Sequence, residues 1–290
     1  MVFAPGSMQF VWAGAVSPAP GAQASPVTLT PIVLLGGVGM MAVAAAALLY
    51  ARGHRLSWRY VGWGAIAWVV SVTIKLAVAA TANQPLLSTL VGSLGVTGGE
   101  AAFDVYAGLL TGVFEVALVY LFLRITRYGR TGWQDALAFG IGFGAVEAFV
   151  LGLNSTVTMA AVLAQPQAVG QDVLQGIAAQ SGALWGLATI WERFFTILVH
   201  VFCNVLIFYA LVSDESRWFW LSFVYKTALD GVASWAQFWG LSTLGHVWTI
   251  EAVIAVFGLI ACWGTRRVIG RYPPQAGEVA APSGIAAPPS

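Results

Sequence analysis

Long apolar runs, each about as long as a bilayer crossing, alternate with short polar breaks along this chain. A helix needs about 20 largely apolar residues to span the hydrocarbon core. Seven stretches meet that length: 30–51, 60–81, 101–123, 134–153, 185–211, 217–240 and 245–265. The first and last are the clearest. The fourth is the least apolar, with Gly140, Gly142, Gly144 and Glu147 inside it. Residues 154–184, interrupted by Pro166 and several glutamines, predict a loop carrying one or two short interfacial helices, with a re-entrant piece as the alternative. The pattern predicts an all-α fold, a polytopic membrane helical bundle of about seven transmembrane helices.

Composition agrees. Of 290 residues 59% are hydrophobic and only 9% charged, against about 25% charged in an ordinary soluble domain. The net charge of +1 excludes a strongly basic nucleic-acid binder. Membrane lipid and a membrane-protein or peptide substrate are the partners to expect, and the oligomeric state is not legible. Cys203 and Cys262 both lie in apolar runs and form neither a disulfide framework nor a paired-cysteine metal motif.

The basic residues give an orientation. Arg52, Arg55, Arg59, Arg124, Arg127, Arg130, Arg217, Arg266, Arg267 and Arg271 all fall on one side of the seven-helix pattern, and residues 1–29, 82–100 and 154–184 carry no Lys or Arg. By the positive-inside rule the N-terminus is outside and the C-terminus cytoplasmic, in what reads as a bacterial plasma membrane protein. Residues 1–29 then form an extracytoplasmic segment, without the basic start of a signal peptide. Residues 30–100 supply two accessory helices and an outer loop, 101–265 a core, and 266–290 a Pro/Ala-rich cytoplasmic tail expected to be disordered. Asn154-Ser-Thr matches a three-residue glycosylation sequon and nothing else supports that use.

Three cations, Lys75, Arg193 and Lys226, fall within predicted spans, as do Asp104, Glu115, Glu147, Glu192, Asp230, Glu251 and His200. Each costs on the order of 3 kcal/mol at the centre of a lone helix, so they are expected to face protein or water. Helical spacing groups them. Gly140, Gly144 and Glu147 share a face of the fourth segment, and Arg193, Thr196, His200 and Asn204 a stripe of the fifth. Ser222, Lys226, Asp230, Ala233 and Gln237 do the same on the sixth. Three stripes suggest a polar cavity, although interhelical pairing that merely holds the bundle uses the same residues.

These residues also carry a family resemblance. The Gly140–Glu147–Ala148 helix, Glu192-Arg193 with His200 seven residues on, and Lys226-Thr-Ala-Leu-Asp230 resemble, in order and spacing, three motifs of the YhfC family of intramembrane peptidases, over about residues 100–265. That family is grouped with the CAAX prenyl endopeptidases and the PrsW-type peptidases. The resemblance implies Glu147 as the base that activates water, His200 as the group that polarises water or carbonyl, and Asp230 as the residue orienting the third-motif side chain. Glu192 and Arg193 would support them from behind. The family has histidine where this chain has Lys226. A lysine must lose its proton to bind a metal and offers one flexible nitrogen, so the exchange argues against a divalent metal; if one binds, Glu147 and His200 are its ligands. Lys226 and Asn204 could instead stabilise an oxyanion.

Other classes use the same residue types. A catalytically degenerate scaffold or partner-binding protein would keep the fold without turnover. A transporter or proton pathway also buries Glu, His, Asp and Lys, but the chain shows no inverted repeat. A retinal-type receptor would need its lysine in the last helix, where there is none.

Overall fold

The computed structural model describes residues 28–126 and 128–273. The proposed N-terminal segment, Arg127 and most of the proposed tail lie outside the described residues. Among the described residues every regular element is helical. A 3-10 turn at Pro31–Leu34 leads into α1 (Leu35–Gly53); α2 is Trp58–Thr111, followed by a π turn at Gly112–Ala117 and α3 (Leu118–Thr126). Then come α4 (Trp133–Ala164), α5 (Gln171–Ala179), α6 (Ala183–Ser213), α7 (Ser216–Trp239) and α8 (Leu244–Ile269).

Five helical stretches among the described residues are long and apolar enough to cross a membrane: Pro31–Gly53, Trp58–Thr126, Trp133–Ala164, Ala183–Ser213 and Leu244–Ile269. The protein is an all-α, multi-pass integral membrane protein. The second stretch holds two of the seven predicted segments. It reverses at Gly95, whose φ of 74° favours glycine. Pairs nearly symmetric about that residue meet across the hairpin: Lys75 with Glu115, Tyr106 Oη donating to Asn83 Oδ1 at 3.3 Å, and Gly99 against Val91. The remaining predicted segment is α7. With Arg217, Lys226 and Asp230 it falls below the five in hydropathy, and packing between α2 and α6 sets its place.

Two expected loops are largely helical. Helix α2 runs through Pro85 up to Gly95, and residues 154–164 prolong α4. Polarity rises there without a helix breaker strong enough to stop the turns, until Gly95 and Pro166 do so. The short helix expected in 154–184 is α5, which lays Leu174 and Ile177 against Val162, Leu29 and Val33.

Glycines set the helix contacts. Gly64 on α2 and Gly142 on α4 bring those backbones together at Phe139 and Val61. On another side of α4, a Cβ at Gly140 would lie 2.7 Å from Val201 Cα, and one at Gly144 3.2 Å from Ile197 Cα. Gly108 on the second arm of α2 and Gly112 at the start of the π turn lie against α7 at Thr227 and Phe223, while Gly258 and Gly264 admit Phe195 and Phe202 of α6. Helix α4 therefore runs wedged between α2 and α6, and α7 packs against both α2 and α6.

Loops on the basic side gather at one end. Arg59 Nη2 donates to Tyr128 Oη at 2.9 Å, Tyr209 Oη donates to the Arg271 carbonyl at 3.4 Å, and the Arg271 guanidinium lies 5.0 Å from the Trp218 ring centre.

Candidate active site

Glu147 projects from the glycine face of α4 into the seam with α2 and α6. Three groups from those helices surround its carboxylate. Arg193 Nη1 donates to Oε1 at 2.6 Å, Trp68 Nε1 donates to Oε2 at 3.0 Å, and His200 Nε2 stands 2.6 Å from Oε2. Arg193 also donates to Glu192. Charge-assisted contacts of this kind are the strong ones, and in a seam of low dielectric they hold the carboxylate in one orientation. The His200 side chain is almost fully buried, with its ring 5.0 Å from that of Phe143.

A second group of charges adjoins the first. Lys226 Nζ donates to Asp230 Oδ2 at 2.6 Å, one helical turn on, and lies 3.3 Å from Glu115 Oε2. Lys75 from the first arm of α2 donates to Glu115 and, at 3.4 Å, to Thr111 Oγ1. Glu115 sits inside the π turn. Such a turn widens the backbone by one residue, re-aims the side chains that follow, and recurs at functional sites. Cys203 and Ser222 join α6 to α7 beside this group, with Ser222 Oγ donating to the Cys203 carbonyl at 3.0 Å.

The sequence-derived residues thus divide. Glu147, His200, Arg193 and Glu192 form one connected set, with Arg193 touching Glu147 directly rather than standing behind it. Lys226 and Asp230 form the other, joined to it through Glu115. Asn204 is buried one turn from His200, but its Nδ2 donates to the His200 carbonyl at 2.9 Å, so one amide N–H serves its own helix. On α7 the polar stripe ends at Asp230, because Gln237 is exposed. Glu251 is buried on α8 and forms no ion pair among the described residues, with Oε2 unpartnered. Trp68, Lys75 and Glu115 are the participants that helical-face reasoning on three segments missed. A tryptophan inside an apolar run must still place its indole N–H, which was the available signal for Trp68.

The sequence profile of the YhfC intramembrane metalloprotease family matches residues 39–254, most of the chain. The chain belongs to the YhfC family. It is also similar to the uncharacterized membrane protein YhfC of Bacillus subtilis (strain 168), 27% identical over 175 residues, which is 56% of this chain and 66% of that relative. The match thus spans just under two-thirds of the relative's length. No solved structure matches.

The family description implies a metal, and the side chains present can be tested for it. Single donor atoms of Glu115, Glu147 and His200 all lie within 4.8 Å of one another. His200 Nε2 and Glu115 Oε2 are buried, the first paired with Glu147 Oε2 at 2.6 Å and the second with Lys226 Nζ at 3.3 Å. Two carboxylates and an imidazole suit a borderline divalent ion such as zinc. The residues fit.

Proposed function

We propose that this YhfC-family protein hydrolyses peptide bonds of membrane-embedded polypeptides at the centre formed by Glu147 and His200. One observation carries the reading: a carboxylate in the middle of a helical bundle, fixed by Arg193 and Trp68, faces a buried imidazole nitrogen at 2.6 Å. A carboxylate has about four lone-pair sites. Arg193 and Trp68 take two and His200 faces a third, so Glu147 keeps one with which to accept the proton of an attacking water. The water oxygen adds to the peptide carbonyl carbon, the proton passes to Glu147, and Glu147 returns it to the departing amine as the C–N bond breaks. His200 orients the water. The Lys226 ammonium, held by Asp230, offers positive charge to the oxyanion. When bound, a divalent cation would supply Lewis-acid polarisation at Glu115, Glu147 and His200.

The gathering of basic loops at one end supports reading that end as cytoplasmic, with the N-terminal side outside. The test is cleavage by the purified full chain in liposomes carrying a mixture of single-span peptides, with products read by mass spectrometry. The wild type should cut, and Glu147→Gln should lower the rate at least about 100-fold, the range for loss of a general base. Equal cleavage by wild type and Glu147→Gln would contradict the proposal. No cleavage by either would leave the scaffold reading in its place.

A further inference from the structure

We infer that a cavity at the basic end of the bundle, lined by Arg130, Thr131, Gly132, Leu211, Val212 and Tyr272, holds the phosphate headgroup of an anionic phospholipid. The inference is independent of peptide cleavage and of the charged layer around Glu147.

Depth and size come first. The apolar segments near the cavity end at residues 123, 211 and 265, and its lining comes from the loop before α4, the end of α6 and the chain leaving α8. It therefore sits where hydrocarbon gives way to headgroups. Its volume is about 270 Å³. That is slightly under the ~300–1,000 Å³ of pockets that enclose a whole small molecule. A headgroup can enter while its acyl chains stay in the bilayer.

The lining is built and mixed. Tyr272 Oη donates to the Val205 carbonyl at 3.2 Å, and its ring lies 5.0 Å from that of Tyr209. Gly129 lets the loop before α4 close on Leu211, which a Cβ there would strike. Leu211, Val212 and the Tyr272 ring supply apolar surface for the glycerol region. Arg130 supplies a guanidinium, which meets phosphate through paired N–H···O bonds. Gly132 is the N-cap of α4 and has no side chain to occupy the first N–H groups of that helix, which favour an anion.

Charge decides the class of lipid. Arg130 is exposed and forms no ion pair among the described residues. Arg271, beside Tyr272, also forms none, and its guanidinium lies 5.0 Å from the Trp218 ring centre. Acids close by in the chain are mostly engaged. Asp135 accepts from the Thr131 hydroxyl, and Glu215 accepts from Arg217 Nε at 2.6 Å and Trp218 Nε1 at 2.7 Å. Asp214 is left without an ion pair among the described residues, against two such arginines. The balance is cationic, and basic pockets between membrane helices are recurrent sites for anionic headgroups.

The experiment titrates the delipidated full-length protein in neutral detergent with phosphatidylglycerol or phosphatidylcholine, and counts bound lipid by native mass spectrometry. Salt at about 0.15 M screens loosely placed charges. Wild type should bind about one phosphatidylglycerol per chain, at least about tenfold more tightly than phosphatidylcholine. Arg130→Gln should lower phosphatidylglycerol affinity about fivefold, the worth of one basic side chain at an anionic surface. Val212→Trp, which fills the cavity without changing charge, should abolish the preference. Arg52→Gln removes an exposed arginine outside the lining and should bind as wild type does. Equal binding of both lipids by wild type would overturn the inference. So would equal losses for Arg52→Gln and Arg130→Gln, which would reduce the effect to surface charge, or wild-type binding by a folded Val212→Trp. If Val212→Trp does not fold, the comparison of Arg130→Gln with Arg52→Gln decides. Displacement of the lipid by millimolar inorganic phosphate would assign the cavity to free phosphate and overturn the lipid reading.

Discussion

At the scale of single residues, Arg193 is the cation on which the arrangement of Glu147 depends. It is buried, and its two amino groups reach Glu147 and Glu192. Removing one member of a buried pair strands the other charge and costs about 3–5 kcal/mol. Arg193→Met should therefore destabilise the purified protein by about that amount in denaturant unfolding. Stability within about 1 kcal/mol of wild type would mean that water already solvates Glu147. Glu147, His200, Lys226 and Asp230 were legible in the sequence because each is an ionisable group inside an apolar run, on a helix with a regular period. Glu115 was visible as a polar residue in a span, but its partners were not, since the π turn breaks the 3.6-residue period on which face assignments rest. Lys75 was visible only as a cation within a span, because its partner lies 40 residues on, across a hairpin whose turning residue the sequence does not announce.

At the scale of elements, glycine decides which helices touch and therefore which side chains meet. Gly140 and Gly144 let α4 close on α6, which puts Glu147 against His200. Gly140→Leu would force its branched side chain into the Val201 backbone, and overpacking of this kind costs about 1–3 kcal/mol. The expected outcome is a folded but less stable protein with impaired cleavage, because the two helices must separate. Unchanged stability would show that the contact has slack. The spacing of Gly140, Gly144 and Glu147 foretold this face. Helix ends were less legible. Hydropathy marks where a helix leaves the hydrocarbon, not where its hydrogen bonds stop, so α4 continues to Ala164 and α2 passes Pro85, which lies on an exposed part of the helix.

At the scale of the whole molecule, the bundle brings two arms of α2 and one face each of α4, α6 and α7 to a single charged layer. The membrane-protein class and the all-α bundle followed from apolar run length. That the chain folds back between the second and third segments followed as well, but the place of the turn at Gly95 did not, because a single glycine among 33 carries no sequence mark of a positive φ. Nor did the meeting of the two charge groups, which depends on α2 returning to α7. The account's central claim is that Glu147 and His200 act as one unit at this layer, and a double-mutant cycle on cleavage rates tests it most directly. Rates would be measured for wild type, Glu147→Gln, His200→Ala and the double variant in the same liposomes. Residues that act as a unit are strongly non-additive. The account predicts that the double variant cuts within about threefold of the slower single variant. Losses that multiply would show that the two side chains work independently, and would contradict it.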